Sequence, residues 1–340
     1  MGLCGLLLLT AACAGTGSES DTVEGTVVDV VARGLTFEAP DSVPAGWTTF
    51  RFTNESAMTH FVLVERLPDG IGIARQQGEV APVFQEGMNQ LAAGDPEAAM
   101  ETFGALPEWF GQVVFLGGPG LLAPGRTAEA AVYLEPGTYL LECYVKTGGV
   151  FHSYNPDPAR YGMVHELTVT GPPADTTAPE AAMELTLSSR RGIEVAGNPS
   201  PGEHVVAVHF EDQTTHENFV GHDVHLARLP DTTDLAPMAA WMDWTRPGGL
   251  ETPAPVEFVG GINEMPAGTT GYFTIHLEPG WYAWVAEVPD PARKGMLQVF
   301  RVPAETGNGT DIGRDRHPPP IEREAAVPGT DVPRGSVRGS

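Results

Sequence analysis

The sequence predicts an all-β protein made of two tandem β-sandwiches with short helical insertions. Three observations predict it. Glycine (41) and proline (31) make up about a fifth of the 340 residues, a turn-rich composition that suits many short strands better than long helices. Short segments alternate apolar and polar residues in period two, the pattern of a strand with one buried face. Finally, one unit is written twice. FLGGPGLLAPGRTAEAAVYLEPGTYLLECYV (115–145) aligns without gaps on FVGGINEMPAGTTGYFTIHLEPGWYAWVAEV (258–288). PDPARYGM (156–163) matches PDPARKGM (289–296), and HFVLVERLPD (60–69) matches HDVHLARLPD (222–231). The blocks keep their order, and a period this long means tandem domains with separate cores rather than a solenoid.

Taken from the N-terminus, residues 1–23 open as MGLCGLLLLTAACAGTGSESD: a short apolar run, small residues, then a polar Gly/Ser stretch. The run is too short to span a bilayer and resembles a secretory signal peptide. LTAAC resembles the lipobox of bacterial lipoproteins, in which the cysteine receives diacylglycerol, and Cys13 fits that position. The expectation is an exported chain, lipid-anchored through Cys13 to the extracytoplasmic face of a bacterial membrane, in the periplasm or at the cell surface. A plain cleaved signal peptide is the alternative. Export would isolate Cys143, because Cys4 leaves with the signal peptide and Cys13 is blocked. A lone thiol in an oxidising compartment is either buried and inert or bound to something.

The first domain is expected over 24–170. TTFRFTN (48–54) and AEAAVYL (128–134) alternate as strands, and APG (123–125) and LEPG mark turns. Between them lies a helical insertion. PVFQEGMNQLAAG stops at Gly94, and DPEAAMETF restarts with Asp95 as N-cap and Pro96 at the first helical position. A Pro-rich linker (171–182) leads to the second domain, 183–303, with strands HVVAVHFED and GYFTIHL and a shorter helix within DLAPMAAWMDW (234–244). The tail, 304–340, is rich in Gly, Pro and charge and is expected to be disordered. A formal charge of −25 with 19 basic residues argues against a nucleic-acid partner.

The chemistry-bearing stretch is LECYVKTGGVFHSYNPDPARYGM (141–163), with Cys143, His152 and Met163 in that order. It reads either as a soft-metal site or as strand, loop and strand that happen to carry those letters. Cys143 alone could be a small core residue, and His152 a solvent-facing loop histidine. Met163 is matched by Met296 in the second copy, where Ala286 replaces the cysteine and the loop histidine is absent, so methionine there serves packing in at least one copy. His60 is matched by His222. His165 reads as structural. His216, His222 and His225 read as surface histidines, since nothing around them completes a tetrahedral zinc site.

On FTNESAMTHFVLV and GTYLLECYV…H…GMVHELTV the chain resembles the cupredoxins, small Greek-key β-sandwiches, over most of 24–170 and 180–302. In the blue-copper members one histidine lies on the earlier segment, and Cys, His and Met come from the loop joining the last two strands. Carried over, the resemblance implies copper held by His60, Cys143, His152 and Met163. Two imidazoles, a thiolate and a weak thioether suit an ion that cycles between Cu(I) and Cu(II). It also implies electron transfer or copper handling through the first domain alone, with a redox partner protein. A metal-free binding or structural module at the cell envelope is the alternative. An enzyme is not expected: Glu142 and Tyr144 flank Cys143 where a wired second copper needs histidine, and no H-x-H pair is present. The long 145–162 loop costs ordering entropy, which Pro156, Pro158 and a contact between domains would limit.

Overall fold

The computed structural model describes residues 25–172, 177–230 and 234–304. The expected lipidation site Cys13 and the tail from residue 305 onward lie outside them.

The repeat written in the sequence is a repeat of strand order. In the first half, Thr36–Glu38, Thr26–Arg33, Gly46–Asn54 and Thr127–Leu134 are neighbours in that order. In the second, Gly192–Ala196, Met183–Ser188, Gly202–Phe210 and Thr270–Leu277 repeat it, down to one parallel pair in each (Thr26–Arg33 with Gly46–Asn54, Met183–Ser188 with Gly202–Phe210). The facing sheets also correspond. Val164–Thr170, Gly137–Glu142, Leu63–Arg66 and Val114–Phe115 match Leu297–Val302, Gly280–Val285, Val224–Leu229 and Glu257–Ile262. Each half is thus a two-sheet sandwich of cupredoxin type, with every second residue buried along Gly46–Asn54.

The halves are not two closed units. Thr127–Leu134 pairs antiparallel with Thr270–Leu277, placing Tyr272 opposite Ala131 and Phe273 opposite Ala130. One eight-stranded sheet therefore runs through both halves. The expectation of separate cores is corrected accordingly: one apolar cluster runs from Val28 to Val302 and contains Phe50, Leu141, Phe210 and Trp284. Two strands that would each present an unpaired edge pair with each other instead, which removes an aggregation-prone surface.

The insertion helices are Ile73–Glu79, Ala81–Ala92 and Pro96–Phe103. Gly94 takes φ +81°, the left-handed turn that ends the second helix. Asp95 accepts from the Ala98 amide at 3.0 Å, and Pro96 opens the third helix. The helix in the second half is Ala236–Trp241. Beneath the first insertion Leu67, Ile71, Val80, Trp109 and Leu140 form a separate small core.

Candidate metal centre

Three expected ligands converge although they come from three segments. Cys143 follows directly on the strand Gly137–Glu142. His60 sits in the loop after Gly46–Asn54 and bridges Leu122 in both directions, His60 N to Leu122 O at 3.2 Å and Leu122 N to His60 O at 2.7 Å. His152 follows the two-residue strand Val150–Phe151. All three are buried.

Their donor atoms form a small triangle. Cys143 Sγ lies 3.4 Å from Nδ1 of His60 and 3.8 Å from Nδ1 of His152, and the two Nδ1 atoms are 3.1 Å apart. A point equidistant from all three lies about 2.0 Å from each, close to the ~2.0–2.1 Å of a metal–imidazole bond. The donor set of two nitrogens and one sulfur suits copper. The residues present therefore fit a single copper ion.

The backbone binds the ligand segments together. The His152 amide donates to Val145 O at 2.8 Å, the Met163 amide to His152 O at 2.6 Å, and the Cys143 amide to Met163 O at 3.2 Å. Met163 is fully buried and is held against both other loop ligands by its main chain. In the second half the Ala286 amide donates to Met296 O in the same way, at 3.0 Å, so the methionine keeps its place where the cysteine is gone.

Two supporting residues surround the triangle. Asn54, fully buried at the end of its strand, donates from Nδ2 to Met58 O (2.8 Å) and Leu122 O (2.9 Å) and accepts from Ser56 N (3.1 Å). It thereby fixes the loop that carries His60. Thr147 Oγ1 lies 2.9 Å from Nε2 of His152; by accepting from Nε2–H it would leave Nδ1 with its lone pair toward the sulfur. Thr147 had no signal of its own in the sequence, because its role depends on the turn of the 146–151 hairpin. Asn54 was visible only as the last letter of FTN.

The second half completes the loop. The Lys146 amide donates to Leu250 O at 2.8 Å, the Thr252 amide to Lys146 O at 2.9 Å, and Glu251 accepts from the amides of Gly148 and Gly149. His152 is thereby only 2 % exposed, not a solvent-facing loop residue.

Burial sets the protonation of the site. It lowers His60 to about 4 and His152 to about 3, the latter aided by the neighbouring His60, so both imidazoles are neutral. It raises Cys143 to about 12, so the thiol holds its proton until a cation displaces it.

The remaining histidines divide differently from the expectation. His222 and His225 are fully buried rather than on the surface; His225 lies on Val224–Leu229, which has a neighbour on each side in its sheet, and His222 just before it meets Asp212 O through Nδ1 at 3.2 Å. His225 accepts from the Leu121 amide at Nδ1 (3.1 Å) and meets Asp223 Oδ2 through Nε2 (2.8 Å), so both nitrogens are engaged. That makes it a tie between the halves, although Asp223, His225 and Glu287 lie close enough together to be counted as a metal cluster. His165 meets Pro40 O at 3.2 Å and is structural.

No protein-family model and no curated protein matches the chain. Among solved structures it is similar to auracyanin A, a blue copper protein of Chloroflexus aurantiacus, at 21% identity over 43% of this chain and 100% of that one, with a TM-score of 0.25. A blue copper oxidase of Nitrosomonas europaea aligns at 12% identity over 82% of this chain and 86% of its own, TM-score 0.22. A copper-containing nitrite reductase of Thermus scotoductus aligns at 10% over 83% and 62%, TM-score 0.20. The fold assignment itself rests on strand order. The expectation that the chain is no enzyme is corrected: enzymes stand among the structures that align over both halves. The missing histidines beside Cys143 exclude one wiring of a second copper, not catalysis.

Proposed function

We propose that this cupredoxin-like chain binds one copper ion in its first half through Nδ1 of His60, Sγ of Cys143 and Nδ1 of His152, with Met163 as a weak fourth ligand, and passes single electrons through it. The observation that carries this reading is the donor triangle, whose edges of 3.1, 3.4 and 3.8 Å admit one ion at bonding distance from all three atoms.

Copper bound there would supply one-electron redox chemistry. The chain's own contribution is rigidity. Asn54 holds the His60 loop, Thr147 sets the tautomer of His152, and the second half braces the hairpin, so the ligands need not move when charge changes. His152 is the route outward: its Nε2 meets Thr147, an exposed residue, whereas His60 and Cys143 are fully buried. A redox partner protein would dock over Thr147 and its neighbours Gly148 and Gly149. A tether through a lipid on Cys13 would hold the chain at the extracytoplasmic face of a membrane; several acyl chains are needed for stable anchoring. Cys13→Ser should then release it to the soluble fraction.

The test is a visible spectrum and metal analysis of the protein lacking residues 1–23. One copper per chain and a strong thiolate-to-copper band are expected. Cys143→Ala should abolish the band, while Met163→Leu should leave the protein coloured with an altered potential. A colourless protein without stoichiometric copper after reconstitution would falsify the reading.

A further inference from the structure

A cavity of about 110 Å³ lies between the insertion helices, the sheet of the first half and the 218–220 and Trp244 segments of the second. Its walls carry seven aromatic rings, Phe84, Phe110, Phe219 and Trp244 among them, and three glutamates, Glu65, Glu142 and Glu264, with no lysine, arginine or histidine among the described lining residues; the Lys146 ammonium lies behind the wall, donating to Trp244 O at 2.6 Å. Phe219 is 40% exposed and marks where the cavity meets solvent. It also holds φ at 64°, a conformation that a bulky residue adopts only where its surroundings enforce it.

Several polar groups of the wall are already paired. Gln76 Nε2 donates to Glu142 at 2.6 Å, Tyr144 OH to Glu287 at 3.1 Å, and Trp244 Nε1 to Asn218 O at 2.7 Å. Asn218 is fully buried. Its Nδ2 donates to Glu287 O at 2.9 Å, which fixes the orientation of the amide, and its Oδ1 has no partner among the described residues. A buried acceptor left without a donor costs free energy, and a ligand that brings N–H groups would relieve it.

From the aromatic walls, the three carboxyls and the unpartnered Asn218 Oδ1, we infer that this cavity is a binding site for a small organic ammonium ion. Aromatic faces attract such a cation and fit its hydrocarbon part, while carboxylates and the amide oxygen take its N–H groups. A divalent metal fits less well. No three of the lining carboxyls converge to ligand distance among the described residues, and rings add nothing to a hard cation's coordination. Size sets the class of amine: since a cavity of roughly 150 Å³ holds benzene, this one suits a short alkylammonium. Burial raises Glu264 to about 8 and holds Glu65 well above the usual carboxylate range, so an entering cation would favour the charges that burial suppresses. The inference does not depend on copper.

The test is calorimetric or ligand-observed NMR titration of the full chain with isobutylammonium, isobutanol and Mn²⁺. Isobutylammonium should bind one site at least about tenfold more tightly than isobutanol, the difference a charged hydrogen bond makes. Glu264→Gln should remove most of that preference. Phe219→Leu removes one ring from the wall; with folding checked by thermal unfolding, it should weaken the ammonium roughly threefold. The same values are expected for Cys143→Ala, which separates this site from the metal centre. Equal binding of isobutanol would reduce the cavity to an apolar hole and overturn the inference. So would displacement of the ammonium by stoichiometric Mn²⁺, or no saturable binding of isobutylammonium.

Discussion

Thr252 of the second half meets Thr147 of the first, hydroxyl to hydroxyl, at 2.7 Å, and Thr147 in turn meets Nε2 of His152 at 2.9 Å. A side chain of the copy without ligands thus reaches a proposed ligand of the other copy through one intermediary. The Thr147 hydroxyl also lies 3.3 Å from Met58 Sδ, so it joins His152, Thr252 and Met58 at one point.

Removing Thr147 should therefore act on the metal without removing a ligand. Thr147→Val is expected to lower copper affinity by roughly tenfold or more, the usual effect of losing the partner that orients a ligand histidine. Thr252→Val should cost less, because Thr147 still faces His152. Competition titration against a chelator measures both. Unchanged affinity in Thr147→Val would show that packing alone orients the ring.

Metal uptake should release a proton. Both imidazoles are neutral above about pH 4, so they contribute none at pH 7, whereas the Cys143 thiol, raised to about 12 by burial, must lose its proton to bind. Copper affinity is then expected to fall as pH falls, by about tenfold per unit where one proton is exchanged. Calorimetry in buffers of different ionisation enthalpy gives the proton count, and a count of zero near neutrality would contradict the thiol assignment.

What was legible in the sequence followed from local rules and from self-comparison. The repeat named the strands that correspond, Asp95 and Pro96 named a helix start, and the order His60, Cys143, His152 named the triangle. What was not legible depends on residues distant in sequence. Thr147 matters because a hairpin turns it toward His152. His222 and His225 look like surface histidines in a polar segment; both are buried, His225 by the position of Val224–Leu229 between two strands. The cavity was equally hidden, since Glu65, Asn218 and Glu264 meet only when the two halves join.

Asn54 offers a test of the loop that carries His60. Asn54→Ala would remove two hydrogen bonds, to Met58 O and Leu122 O, which keep Ser56 Oγ and the His60 amide as donors, at an expected cost of about 1–3 kcal/mol in denaturant unfolding, ~0.5–1.5 kcal/mol per bond. Asn54→Asp removes the donor but keeps the acceptor for Ser56, and should be as damaging. A neutral Asn54→Ala would mean that the His60–Leu122 bridge holds the loop unaided.

The buried carboxyls predict the alkaline side of the stability profile. Burial raises Glu264 to about 8, and Glu65 and Glu287 lie well above the ordinary carboxylate range, burial again being the first cause. In the unfolded chain these groups ionise near about 4.3. The folded state therefore keeps protons that the unfolded state has released. Their contribution is full below about 4.3 and is lost as pH rises through about 8. The buried neutral histidines act in the opposite sense, but only below about 6.5. Between pH 6.5 and 8 thermal stability should therefore fall, each group adding at most about 1.4 kcal/mol per pH unit; above about 8 the buried Lys146, lowered to about 8, acts in the opposite sense. Glu264→Gln, whose amide oxygen can still accept from the Gly221 amide, should flatten that decline. A flat wild-type profile over this window would mean that the carboxyls are hydrated and ionised in the folded protein.

The shared sheet predicts that the first half cannot be used alone. In residues 25–172 the strand Thr127–Leu134 loses its partner Thr270–Leu277, leaving the edge that held Tyr272 and Phe273 open. The same cut removes Leu250, Glu251 and Thr252, which brace the hairpin beside His152. An unpaired apolar edge invites self-association, and an unbraced hairpin must be ordered before its histidine can bind. The fragment should therefore aggregate in size-exclusion chromatography and take up copper substoichiometrically. Mixing it with residues 177–304 should restore both properties if the halves reassemble across that sheet. A monomeric fragment with one copper per chain would show that the first half is independent and that the continuous sheet only juxtaposes the two.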